Sequence, residues 1–218
     1  LVPENQKSAV VEFLKKQGRS CEQSFSYWLL NTLFSEAEGQ WALDYIRTYW
    51  GKQMKEDGFN GAWYEMWKPG RGHSKSHAWG AGPTALLSEK VLGVEPILAG
   101  WKQFKIKPYL GDLEWCEGVV PSVAGDISVK LKKLKKNKLV NGLQIKATIP
   151  LNTTSKIHVP IQSSKHFTIE VNHSKIWKDG RFLGANKNIS FETQTDDFIV
   201  FEFQPGSYTI NAVKDQQY

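Results

Sequence analysis

Read for the spacing of its apolar positions, the chain changes character once. Up to about Leu92 hydrophobic residues return every three or four positions, the interval of a helix with one buried face. The segment "NQKSAVVEFLKKQG" places Val10, Phe13 and Leu14 together and stops at Gly18, and "SFSYWLLNTLFSEAEG" groups Tyr27, Leu30 and Phe34 and stops at Gly39. Next, "QWALDYIRTYWGKQM" sets Ala42, Tyr45, Ile46 and Tyr49 at i, i+3, i+4 and i+7, while "TALLSEKVLG" supplies Leu86, Leu87 and Leu92 ahead of Gly93. Short turns between such segments favour antiparallel helical neighbours.

Beyond Trp101 the period becomes two. The runs "FKIK", "LEWCEGVV", "GDISVKLKKL", "LQIKATIP", "SKIHVPI", "HFTIEVN", "NISFET", "DFIVFEF" and "GSYTINAV" alternate, separated by turn residues such as Asn141-Gly142, Asp179-Gly180 and Pro205-Gly206. Many short strands at this spacing predict an antiparallel β-sandwich. Helices first and strands after predict an α plus β chain of two domains, residues 1–95 helical and 96–218 a sandwich.

Composition adds little and excludes some classes. With 218 residues, 40% hydrophobic and 23% charged, the chain can bury a real core. No apolar run has the length of about eighteen residues that a membrane helix needs, and no membrane partner is expected. The opening "LVPENQKSAVVEFLKK" lacks the features of a signal peptide and does not begin with Met, so the chain reads as a processed protein or a piece of a longer one. Cys21 and Cys116 are too few and too far apart for a metal ribbon or a disulfide framework, and whether they pair stays open.

The net charge of +6 is local: "KLKKLKKNK", residues 130 to 138, holds six lysines, and the 22 other basic residues balance the 22 acidic ones. The run contains neither Arg nor an aromatic residue, the types that grip phosphate bidentately or stack on bases, so no nucleic-acid partner is expected. Val129, Leu131 and Leu134 mark a strand with lysines on its wet side, guarding an exposed sheet edge.

Candidate chemistry gathers in "GAWYEMWKPGRGHSKSHAWGAGP", residues 61 to 83. His73 and His77 stand four apart, but the Glu of a zinc-protease motif is absent and Gly70 and Gly72 point to a loop; no metal or cofactor is expected. No GxSxG, no P-loop and no dinucleotide fingerprint is present. Glycoside hydrolysis remains, which needs two carboxyl groups about the scissile bond and aromatic surfaces for the sugar. Glu65, between Trp63 and Trp67, fits one carboxylate role, and His77 could bind a sugar hydroxyl or tune a carboxylate. A loop glutamate is usually a solvated charge, and Trp63, Trp67 and Trp79 would more often be core than sugar platform, so the residues alone favour those readings. Seven of the nine tryptophans, Trp28, Trp41, Trp50, Trp63, Trp67, Trp79 and Trp101, lie in the helical half or at its boundary with the strands, a load that suits either a core needing further helices or a sugar-stacking groove.

The ordered set "GFNGAWYEMW", "SHAWGAGPT" and "GVEPILAGWKQFKIKP", within residues 20 to 132, resembles the C-terminal part of bacterial α-L-rhamnosidases of glycoside hydrolase family 78. The resemblance implies the last helices of an (α/α)6 toroid followed by a C-terminal β-sandwich. It implies Glu65 as the general base of an inverting hydrolysis, His77 as a substrate-contacting histidine, and Trp63, Trp67 and Trp79 as further substrate-site residues. It implies a rhamnose-containing glycan or glycoside as ligand, and a periplasmic or secreted bacterial setting. The family's general acid lies in an acidic stretch upstream of the matched region, and the toroid needs twelve helices where about four are legible here. The chain alone is therefore expected to be inactive or nearly so, and to expose apolar surface that the missing N-terminal helices would cover, favouring self-association. The alternative from another class is a non-catalytic carbohydrate-binding or structural module.

Overall fold

The computed structural model describes residues 2–161, 166–184 and 186–215. They form two compact units, Leu1–Leu87 and Ser88–Tyr218.

In the first unit the α-helices are α1 (Lys7–Gln17), α2 (Ser26–Ser35), α3 (Gly39–Gln53) and α4 (Gly82–Leu86). Residues 54 to 77, which carry Glu65, hold no helix or strand. The core consists of Val11, Leu30, Leu33, Ala42, Tyr45, Trp50, Trp67 and Leu86. Ala42, Tyr45, Ile46 and Tyr49 face it as their spacing predicts, and Trp50 joins them, fully buried. Burial pushes the Tyr45 hydroxyl up to about 12.

Helix α1 is rotated from its expected setting: Val11 is buried and Phe13 is exposed. The buried stripe runs through Lys7, Val11, Leu14 and Lys15, whose two lysines lay their stems beside it and reach Glu36 (3.8 Å) and Glu38 (3.0 Å). A count of apolar residues alone misses a stripe partly made of lysine methylenes. The helix read over "TALLSEKVLG" is the short α4 followed by a π-helical turn at Leu87–Val91, with Leu86 buried and Leu87 exposed.

The second unit is a two-sheet sandwich. Its strands are β1 (Val94–Pro96), β2 (Gln103–Ile106), β3 (Trp115–Ser122), β4 (Gly125–Lys136), β5 (Leu139–Ile149), β6 (Thr154–Pro160), β7 (Phe167–Val171), β8 (Ser174–Lys178), β9 (Arg181–Phe182), β10 (Ile189–Gln194), β11 (Phe198–Phe203) and β12 (Gly206–Lys214). One sheet has the order β1-β2-β6-β11-β10 and the other β3-β4-β5-β12-β7-β8-β9. Alternation puts Phe104, Ile106, Ile157, Phe201 and Phe203 of the first sheet against Ile127, Leu131, Ile145, Ile169 and Ile210 of the second.

Three expectations are corrected here. The sandwich is not wholly antiparallel: β2 and β6 run parallel, because the chain crosses to the other sheet for β3 to β5 before β6 returns beside β2. Asn141-Gly142 is no turn but lies inside β5; the β4–β5 turn is made by Asn137 and Lys138, at φ 50° and 67°. Gly142 is required by close approach, since a Cβ there would stand 2.2 Å from the Ala212 carbonyl oxygen of the neighbouring strand. Finally, β4 is not the sheet edge. It lies between β3 and β5, and β3 is the outer strand. The strands β1, β8 and β9 escaped the period-two reading: β1 and β9 are too brief to alternate, and in β8 the neighbours Ile176 and Trp177 are both buried.

Candidate functional site

The segment with Glu65 is ordered by backbone pairing rather than by a regular element. His77 N–H donates to the Trp63 carbonyl (2.8 Å) and Glu65 N–H to the Ser74 carbonyl (3.0 Å). These two bonds tie the "WYEMW" segment alongside the "SKSH" segment and bring Glu65 and His77 into one local structure. The Glu65 carboxylate is itself half-buried and accepts the Ser74 N–H at 3.0 Å, a charge-assisted bond that fixes its direction. His73 turns back on the loop, its Nδ1 accepting the Gly70 N–H at 3.0 Å. Among the described residues no group of three or more His, Cys, Asp or Glu stands close enough to hold a metal ion.

Behind this segment lies a buried polar cluster. The Trp50 indole N–H donates to the Gly80 carbonyl (2.7 Å), and the fully buried Gln23 and Gln53 side-chain amides meet at 3.1 Å. The Gln23 amide, turned so that both its atoms are satisfied, donates to the Tyr64 carbonyl at 3.1 Å. Gly80 passes so near the Tyr64 carbonyl oxygen that a Cβ would meet it at 2.2 Å. The glycine of "SHAWG" is thus the place where two backbone segments touch, and it sets the approach of the Glu65 and His77 segments.

The three other sequence-nominated residues part company. Trp67 is buried in the core, edge-on to Trp50 (4.7 Å between ring centres), its indole N–H donating to the Cys21 carbonyl (2.8 Å). Its faces are occupied by Tyr45, Tyr49 and the Arg19 guanidinium, so core packing accounts for this ring. Trp63 is partly buried against the same core and lies 5.6 Å from Phe59. Trp79 is 65% exposed and meets the His77 ring edge-on at 5.1 Å. It lines a groove of about 450 Å³ together with Phe25, Tyr27 and Trp28 of the α2 region. Phe25 and Trp28 are 66% and 64% exposed. The sequence reading counted Trp28 in the aromatic load of the helical half but, by following Tyr27, Leu30 and Phe34, did not single out Phe25; Phe25 and Trp28, three apart, form a second apolar stripe at the start of α2. Both cysteine thiols, Cys21 and Cys116, are free.

The chain thus joins a helical unit carrying a carboxylate, a histidine and an exposed aromatic groove to a two-sheet sandwich. Residues 93–174, within the sandwich unit, match the family described as bacterial alpha-L-rhamnosidase C-terminal domain. The resemblance to bacterial α-L-rhamnosidases of glycoside hydrolase family 78 is thereby shown. The structure is similar to an alpha-L-rhamnosidase from Dictyoglumus thermophilum (TM-score 0.75, 19% identity, 98% of this chain and 24% of that one). It is similar also to Streptomyces avermitilis alpha-L-rhamnosidase complexed with L-rhamnose (TM-score 0.64, 18% identity, 85% of this chain and 17% of that one). A rhamnosidase of Bacillus sp. GL1 matches 62% of this chain and 15% of its own at 25% identity and TM-score 0.53. The chain thus spans about a quarter or less of each of these structures. No curated protein matches it.

Proposed function

We propose that the chain is the C-terminal part of an inverting α-L-rhamnosidase, in which the first unit contributes the closing helices of an (α/α)6 toroid and Glu65 acts as general base. The observation that carries this reading is the paired backbone of Trp63–His77 and Glu65–Ser74, which holds the segment of Glu65, its carboxylate fixed by the Ser74 N–H, alongside the segment of His77, whose ring meets an exposed tryptophan. In an inverting hydrolysis a carboxylate takes a proton from water attacking the anomeric carbon, while a carboxylic acid on the other side protonates the departing glycosidic oxygen. Glu65 supplies the first function, and a residue of the parent protein outside this chain supplies the second. His77 donates to or accepts from a sugar hydroxyl, and Trp79 offers a flat apolar face to the ring. Loss of the acid removes about two to four orders of magnitude of rate, so the chain alone hydrolyses rhamnosides little or not at all.

A second reading is favoured by one fact: the family match, residues 93–174, lies in the sandwich and does not include Glu65. On that reading the chain is a carbohydrate-binding or structural module. Titration of the chain with L-rhamnose separates the two. Binding lost in Glu65→Gln and His77→Ala supports the helical-unit site, whereas binding unchanged in both assigns the ligand to the sandwich. In the parent enzyme, proton NMR of the first-formed rhamnose must show the anomer inverted from the substrate; a retained anomer overturns the assignment of Glu65 as a base acting on water.

A further inference from the structure

The outward face of the seven-stranded sheet carries rows of side chains fixed by register. One row runs Glu117, Lys130, Lys146, Thr209 across β3, β4, β5 and β12. The next runs Val119, Ser128, Thr148, Ser207, and on the other side lies Trp115, Lys132, Gln144, Asn211, Glu170. Lys130 and Lys146 are directly opposed, a like-charge pairing that disfavours the folded sheet. Glu117 answers only one of them, holding Lys130 at 2.5 Å. Lys132 and Lys146 make no ion pair or hydrogen bond among the described residues. Short hydroxyl side chains line a groove of about 490 Å³ together with Lys130 and Lys146, with Thr148 and Ser207 at 3.3 Å from each other. Trp115 and Val119, on the outer strand, are more than half exposed along the same side.

We propose that this face binds an anionic polysaccharide, a chain of carboxylated sugars whose acid groups meet Lys130, Lys132 and Lys146 and whose hydroxyls meet Ser128, Thr148, Ser207 and Thr209. The charge matches in sign: Lys130, Lys132 and Lys146 stand with the single carboxylate of Glu117 among them, while Asp126 lies opposite Pro121 and Glu170 lies between Asn211 and Lys175. The hydroxyl floor exchanges hydrogen bonds with sugar hydroxyls, and Trp115 offers one flat ring, enough for a pyranose face. A nucleic acid would call for arginines and successive stacking rings, which the rows lack. The proposal is independent of Glu65 and of the helical unit.

The test is calorimetric titration of the chain with hexagalacturonate, its carboxyl-reduced neutral counterpart and a single-stranded oligothymidylate. The expected result is binding of the hexauronate that weakens with salt, and binding of the neutral oligomer that is weaker by about tenfold or more. Lys130→Ala and Lys146→Ala each lower hexauronate affinity by about fivefold or more, as loss of a charged hydrogen bond does. Thr148→Val, which keeps every lysine, lowers it too. Lys136→Ala, outside the rows, leaves it unchanged, and unaltered melting temperatures show that the variants are folded. No binding of the hexauronate at millimolar concentration, equal affinity for the oligothymidylate, or equal losses in Lys136→Ala and Lys146→Ala would overturn the proposal.

Discussion

Gly80 shows how one residue can hold a site it does not enter. Its carbonyl takes the buried Trp50 N–H, and its Cα lies so close to the Tyr64 carbonyl that no side chain fits. Gly80→Ala must displace backbone, not a flexible side chain, and is expected to destabilise the helical unit by about 2 kcal/mol or more. A urea or thermal melt of the variant checks this, and wild-type stability would refute the close approach. Such contacts could not be read from "SHAWGAGP", because a glycine at a turn and a glycine at a crossing look alike in sequence. The tryptophans divide for a related reason. Trp63, Trp67 and Trp79 share a type and a neighbourhood, yet burial makes Trp67 core and exposure leaves Trp79 free to meet a ligand. Only the three-dimensional partners, Trp50, Tyr45 and Arg19 around Trp67, separate them.

At the scale of elements, the long alternating strands were legible because a buried face forces period two. What escaped was the partner of each strand: the parallel β2–β6 pair and the interior place of β4 depend on contacts far apart in sequence. In β5, Gly142 abuts β12 where a Cβ would strike Ala212 oxygen, so Gly142→Ala is expected to break local pairing and cost about 1–3 kcal/mol. Retention of the wild-type melting temperature would contradict this. His158 in β6 predicts a pH dependence. Burial first, then the nearby charges of Lys107, Lys105 and Lys156, pushes its imidazole from 6.5 down to about 4, and its ring packs edge-on against Phe198 at 5.8 Å. Between pH 6.5 and 4 the unfolded chain binds a proton here that the folded chain does not, so stability falls as pH drops through that window. Melting of the sandwich should therefore weaken from pH 7 to 4.5 and weaken less in His158→Gln. An identical pH slope in the variant would remove His158 as the cause.

At the scale of the whole molecule, the two units differ in self-sufficiency. The core of the sandwich is built from its own strands, and residues 88–218 alone are expected to unfold in one cooperative transition. The helical unit exposes Phe13, Phe25, Trp28, Met54 and Trp79, an apolar surface that favours association in solution; sedimentation showing a strict monomer at high concentration would count against it. The change from helical to strand periodicity was visible in the sequence, and Trp28 and Trp79 were counted there toward a core or an aromatic groove, whereas the place of Phe25 in that groove was not legible. The central claim, that Glu65 is the base half of a two-carboxylate hydrolase, is tested most directly by the kcat of Glu65→Gln in the parent enzyme on an aryl α-L-rhamnoside. The account predicts a fall of about two to four orders of magnitude with KM little changed; activity within about threefold of the wild type would contradict it.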